Sequence, residues 1–470
     1  MLEPKRSFAS LLLCGCLFFS SSQRGPDSFQ KTLLKPRLLI TTDIGGDPDD
    51  IQSMIRLLVT SSEFELEGLV ASATGTPGEL DTSMVRDELI RDLVERYDSV
   101  YPNLILHHPD FPSPGYLRSI IKKGNPERGI GQIGPGFDTE GSSWIRERIL
   151  HPDPRPLNIS IWGGQTDVFQ ALISLKTDLS QKDFRHTISG IRVYNIGDQD
   201  RIHAAFRDSF PDLFHVLAKA PPGRDKREGA FRGMYLGGDE SFTSASWVHQ
   251  NVKEHHGPLG AAYPVETWTA PNPHGCMKEG DTPSWFYFFQ NGLQDPWHPE
   301  YGGWGGRFVN EQSTYYVDAT DQVDSVNNAR STVWRWREHY QGDFQARMDW
   351  CVSAFKAANH PPVITLTSSI PSGYLAPGLP LRVELRGKEE LVLNAEKSWD
   401  PDGDSLEYLW WIYPEPSDME VKGNLFPAEG SRIELQTTEL NGSGELHLIL
   451  QVRDLGVPSL VAYQRLILNL

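Results

Sequence analysis

The sequence predicts an α/β protein, a mostly parallel sheet with helices on both faces, followed by an immunoglobulin-like β-sandwich. Two observations carry this. From Arg37 to about Ala358, short apolar runs alternate with turn residues and helical patterns, the signature of strand–loop–helix repetition. From Val363 to Leu470, about seven short alternating segments are separated by Gly, Pro and Asp turns, the pattern of a two-sheet sandwich.

Leu38–Thr41, Leu66–Ala71, Leu104–His107, Asn158–Trp162 and Gly190–Ile196 read as short buried strands. Ile51–Val59, Ser83–Glu95, Thr166–Leu175 and His203–Ala218 read as helices between them. Trp334–Cys351 reads as a closing helix, with Trp334, Trp336, Phe344, Met348 and Trp350 as its apolar positions. His360-Pro361-Pro362 then forms a stiff linker, because a residue before proline is pushed into extended conformations. Beyond it the expected strands are Val363–Thr367, Leu381–Leu385, Leu391–Asn394, Tyr408–Ile412, Arg432–Gln436, Glu445–Val452 and Tyr463–Leu468. The expected division is a leader at 1–24, an α/β domain at 37–358 and the sandwich at 363–470.

The net charge of −18 argues against a nucleic-acid polymer or an anionic membrane as partner and leaves a neutral sugar or nucleoside open. Lys5 and Arg6 precede an apolar core, Leu11–Phe19, and then Ser20–Ser22. That is a secretory signal, too short to span a bilayer. It predicts export to a periplasmic, extracellular or surface location, with no membrane segment left after its removal. Leu13-Cys14-Gly15-Cys16 approximates a lipoprotein cleavage box, with Cys16 as the candidate lipidated residue. In the mature chain only Cys276 and Cys351 remain, and a disulfide between them is open in an oxidising compartment.

The chemistry concentrates in TTDIGGDPDDIQSMIR, Thr41 to Arg56. Asp43, Asp47, Asp49 and Asp50 crowd a predicted strand–loop–helix junction. Such crowding costs several kcal/mol unless a cation or the positive end of the helix compensates it. Capping of a helix N-terminus by Asp accounts for one or two carboxylates and not for four, so the pattern points to a divalent-metal site. Further polar loops close other predicted strands or open helices: Ser72–Gly78, Trp162–Asp167, Tyr194–Asp200 and Lys278–Trp285. In a parallel sheet such loops share one end, where ligands bind.

These phrases resemble the calcium-dependent nucleoside hydrolases: the Asp-rich loop, ASATGT, WGGQTD and the distant EGDTP. TTDIGGDPDD, VYNIGDQD, GGWGGRF, MDWC and the NHPP linker identify the chain as a member of the secreted, nucleoside-hydrolase-like family described as cellulose-binding. The resemblance implies a Ca²⁺ held by Asp43, Asp50, the Trp162 carbonyl and Asp281, with Asp47 a rival to Asp43. It implies Asp49 as the general base that takes a proton from the attacking water. Thr76, Asn195, Asp198, Asp200, Glu279 and Trp304 are the candidate substrate contacts.

Three departures from the nucleoside hydrolase pattern stand out. The spacing from the first aspartate to the Asp-Asp pair is longer, Thr76 stands where an asparagine is expected, and Gly280 stands where many relatives carry a histidine that helps the base depart. Glu279, His274 and His298 are the alternatives for that last role. Two functions therefore remain open: hydrolysis of an N-glycosidic bond in a ribosyl compound, or binding of cellulose or another polysaccharide without nucleoside cleavage. Trp297 and Trp304, in a Gly/Pro-rich loop, could stack on sugar rings or pack a core. Asp400-Pro401-Asp402-Gly403-Asp404 reads as a structural turn, because it lacks the helical flanks and closing Glu of a calcium loop.

Overall fold

β1 (Arg37–Thr42, RLLITT) is buried at every position, as a near-continuous apolar run in a central strand requires. The computed structural model describes residues 35–75, 83–266, 276–370, 378–385, 390–423 and 425–470; the leader, Cys16, Thr76 and His274 lie outside them. β1 runs into α1 (Pro48–Thr60), and β2 (Glu65–Ala71) and α2 (Asp87–His107) follow. The remaining strands of the large sheet are β3 (Ile121–Lys123), β4 (Leu157–Ile161), β5 (Ile191–Ile196), β6 (Phe214–Ala218), β7 (Phe308–Gln312) and β8 (Tyr315–Asp318).

Their order is β3-β2-β1-β4-β5-β6-β8-β7. Every pairing is parallel except β7 with β8. The chain moves outward from β1 to β3, then returns to the other side of β1 with β4. That reversal opens a crevice at the carboxyl ends of β1 and β4, where Asp43 and Trp162 emerge. One apolar core covers each face of the sheet.

Three sequence expectations needed correction. Leu104–His107 is the last turn of α2 and not a strand. Leu104 and His107 are buried while Ile105 and Leu106 are exposed, a helical spacing that a four-residue run conceals. His203–Ala218 splits into a helix, His203–Ser209, and β6. Pro211 explains the break, since Phe210 before it leaves helical geometry at φ −133°, ψ 60°. The closing helix is likewise two pieces, Ser331–Trp334 and Arg337–Trp350.

The C-terminal part is a sandwich. A three-stranded sheet (Thr367–Ser368, Glu390–Asn394, Arg432–Gln436) faces a five-stranded one whose centre is Val461–Asn469, Glu445–Asp454 and Leu406–Ile412. Leu391, Leu393 and Leu435 from the first pack with Leu448, Leu450 and Leu466 from the second. Ile449 and Tyr463, out of step with those positions, join the α/β core instead, with Tyr413. Trp336 lies 5.8 Å from both the Tyr413 and the Tyr463 ring. Asp321, fully buried, takes Arg307 at 2.7 Å, Arg335 at 2.8 Å and the Tyr413 hydroxyl at 2.5 Å. Residues 35–470 accordingly make one compact unit.

At the linker, the His107 and His360 rings meet at 2.9 Å, and the His360 amide donates to Asp402 at 2.7 Å. The Asp400 carboxylate accepts from the amides of Asp402 and Asp404, so this acidic run is a self-bonded turn. Cys276 and Cys351 are separate buried thiols, not a disulfide.

Candidate functional site

The loop after β1 turns through Gly45, at φ +97°, and the Gly46 amide donates to the Asp43 carbonyl at 3.0 Å. Asp47 occupies the N-cap of α1, but its side chain makes no cap bond. It pairs instead with Lys278 Nζ at 2.5 Å. Pro48 opens the helix, and Asp49 and Asp50 fill its first turn, where the helix's positive end favours anions. Thr42 Oγ1 donates to Asp50 Oδ1. Asp281 arrives from far along the chain, immediately before the helical turn Thr282–Phe286.

Carboxylate oxygens of Asp49, Asp50 and Asp281 lie within 4.8 Å of one another. Asp281 Oδ2 is buried without a hydrogen-bond partner. Asp43 stands beside them, with Arg128 Nη2 3.3 Å from its Oδ2. Two glycines permit this crowding. A Cβ on Gly163 would sit 2.6 Å from Asp43 Cγ, and one on Gly280 would sit 3.0 Å from Asp49 Oδ2 and 3.4 Å from the Phe231 ring.

Burial pushes the Asp49 carboxyl up to about 7, with the Asp47 charge adding to it and Lys278 opposing. Asp50 is raised well above the usual range by burial and by the charges of Asp43 and Asp49. Burial also raises Asp281, reinforced by Asp49 and Asp50. Burial raises Asp43 too, against the pull of Arg128. Three converging carboxylates with an orphaned buried oxygen form a hard-oxygen donor set that fits a divalent cation. They floor a cavity of about 410 Å³ whose other walls come from residues after β5, from the segment following β6 and from Lys278.

Residues 37–308 match the family described as "Cellulose-binding Sde182, nucleoside hydrolase-like domain". The chain belongs to this family. Residues 390–470 match "Cellulose-binding protein Sde0182, C-terminal domain". A solved nucleoside hydrolase-related hypothetical protein from Saccharophagus degradans, associated with carbohydrate metabolism, is 30% identical with a TM-score of 0.75, over 93% of this chain and 99% of that one. The effector protein XOO4466 overlaps 68% of this chain and 95% of its own at 12% identity and a TM-score of 0.36, too loosely to carry an argument. No curated protein matches the chain.

In this nucleoside hydrolase-like domain the expected site residues separate clearly. Asp43, Asp47, Asp49, Asp50, Asp198 and Asp281 line the cavity. The Trp162 carbonyl, beside Asp43 at the strand end, accepts from Gln199 Nε2 at 2.7 Å. Asp198 is tied to His203 at 2.6 Å and Lys219 at 3.2 Å. Against the cost of burial, the His203 hydrogen bonds hold its carboxyl at about 2.

Four of the other expected contacts, all among the described residues, do not line this cavity. Asn195 is fully buried and donates to the Gly197 carbonyl. Asp200 accepts from Thr166 Oγ1 at 2.8 Å, behind Gly164. Glu279 is 0% exposed in an ion pair with Arg56. Trp304 is 3% exposed and packs on Phe286 and Phe289 at 5.3 and 5.6 Å. The glycines around Trp304 serve close packing: a Cβ on Gly305 would meet the Tyr287 amide at 2.4 Å. Sequence reasoning missed Arg128, Lys278 as partner of Asp47, and Phe231 with Arg232 on the wall facing Asp49. Of these only Lys278 lay inside a phrase already singled out.

Proposed function

We propose that the cavity is the active site of a Ca²⁺-dependent hydrolase that cleaves the N-glycosidic bond of a ribosyl compound. The observation that carries this reading is geometric: carboxylate oxygens of Asp49, Asp50 and Asp281 gather within 4.8 Å of one another on the cavity floor, with Asp281 Oδ2 buried and without a hydrogen-bond partner. Asp50 and Asp281, with Asp43 and the Trp162 carbonyl, would hold the ion. When bound, it would offset part of the charge of the crowded carboxylates and acidify water. Asp49 then accepts the proton of the water that attacks the anomeric carbon, while the C–N bond breaks with its electron pair leaving on the base. The negative floor stabilises the cationic sugar that develops. Lys278 keeps Asp47 out of this set by engaging it directly.

A second reading is carbohydrate binding without cleavage. It is favoured by the family's cellulose-binding description and by Trp297 and Trp399, which are 42% and 54% exposed. The same description supports an extracellular or surface location; among the described residues no helix is long and apolar enough to cross a membrane. Ribose release from a panel of nucleosides, with Ca²⁺ or with a chelator, tests the first reading. Turnover in Ca²⁺ that stops with chelator is expected. No release by wild type, together with sedimentation on insoluble cellulose, would overturn it in favour of the second.

A further inference from the structure

Besides its carboxylates the cavity lining carries cationic side chains. Lys219 follows β6, Arg224 lies in the exposed turn after it, and Arg232 sits in the helical turn Ala230–Met234. All three line the cavity of an otherwise acidic chain. Lys219 already has Asp198 at 3.2 Å. Among the described residues Arg224 pairs with Glu228 alone, at 3.7 Å, with both side chains well exposed, an arrangement worth little. Arg232 donates Nη1 to the Tyr235 hydroxyl, a neutral acceptor, and lies 4.9 Å from the Phe231 ring. Its Nε is buried without a partner. Among the described residues no carboxylate makes an ion pair with it. Arg232 lines the same cavity as Asp49.

A neutral nucleoside or a cellulose chain offers these guanidinium groups neutral acceptors but no charge to match theirs. An oxyanion does, since guanidinium presents a fixed fork that matches phosphate geometry. Building on the ribosyl reading of the pocket, we propose that the compound it takes carries a phosphate, seated on Arg232 and Arg224. The two kinds of charge also fix orientation. The floor repels a phosphate and suits the sugar hydroxyls, so the sugar enters diol-first with its phosphate toward the arginines.

The test is calorimetric binding to the full chain of ribose, ribose 5-phosphate and inorganic phosphate, using wild type, Arg232→Gln and the exposed Arg224→Gln, which is too open to unfold the chain. Ribose 5-phosphate is expected to bind about ten-fold more tightly than ribose, the effect of one charge-assisted hydrogen bond. Each variant should shrink that preference, and added salt should erode it. Equal affinity of wild type for the two sugars overturns the inference and leaves the ribosyl reading standing. Binding of inorganic phosphate that both variants weaken, with neither sugar bound, supports the anion seat and overturns the ribosyl reading. Phosphate affinity unchanged in both variants overturns the seat.

Discussion

Glu279→Ala is expected to destabilise the folded chain by about 3–5 kcal/mol, the usual cost of stranding a buried charge. Arg56 and Glu279 are 1% and 0% exposed. They meet through Nε–Oε2 at 2.5 Å and Nη2–Oε1 at 3.1 Å. Tyr263 and Thr282 hydroxyls donate to the same carboxylate at 2.7 and 3.0 Å. Truncation would leave the guanidinium with the Tyr340 carbonyl, the Gln341 amide oxygen, the Met277 sulfur and the Phe344 ring. Denaturant unfolding measures the loss, and a change below about 1 kcal/mol would contradict the account. Replacing both partners by apolar residues, Arg56→Met with Glu279→Leu, should recover much of it, because no charge is then stranded. The pair also holds Glu279 at φ +40°, a left-handed conformation that a non-glycine residue adopts only under constraint. Two residues on, Asp281 depends on that turn for its place over α1.

Asp49→Asn should lower ribose-releasing turnover by about 10²–10⁴-fold, the usual contribution of a general base, with little change in KM. The amide keeps the volume and removes the basic oxygen. In wild type the base must be ionised, so the rate falls as pH drops through its pKa. Burial and Asp47 set that pKa at about 7 without a cation, and a bound cation lowers it. A variant as active as wild type would remove Asp49 from the reaction.

The strand–loop–helix logic around Asp43–Asp50 was legible because all its determinants are local. The period changes from a buried run to an amphipathic helix within a dozen residues, and glycines mark the turn. Asp281 was reachable only through resemblance, since nothing local separates it from an ordinary helix start. The partner of Asp47 was not legible at all: Lys278 lies 231 positions away, and no short-range pattern encodes that meeting. Glu279 and Trp304 misled for the opposite reason. Their polar, glycine-rich surroundings suggest open loops, whereas glycine there removes side chains so that backbones pack tightly and bury both residues. His203–Ala218 failed because a five-residue apolar strand and one face of a helix look alike until Pro211 is given its weight.

The hold of Asp50 and Asp281, with Asp43, on one cation beside Asp49 is the claim on which the rest depends. Calorimetric titration of Ca²⁺ into the metal-free full chain, wild type against Asp281→Asn, tests it most directly. The account predicts a single saturable site in wild type, weakened about ten-fold or more in the variant, the effect of losing about 1.4 kcal/mol of binding energy. Wild-type protein that binds no Ca²⁺, or a variant that binds it equally well, would contradict it.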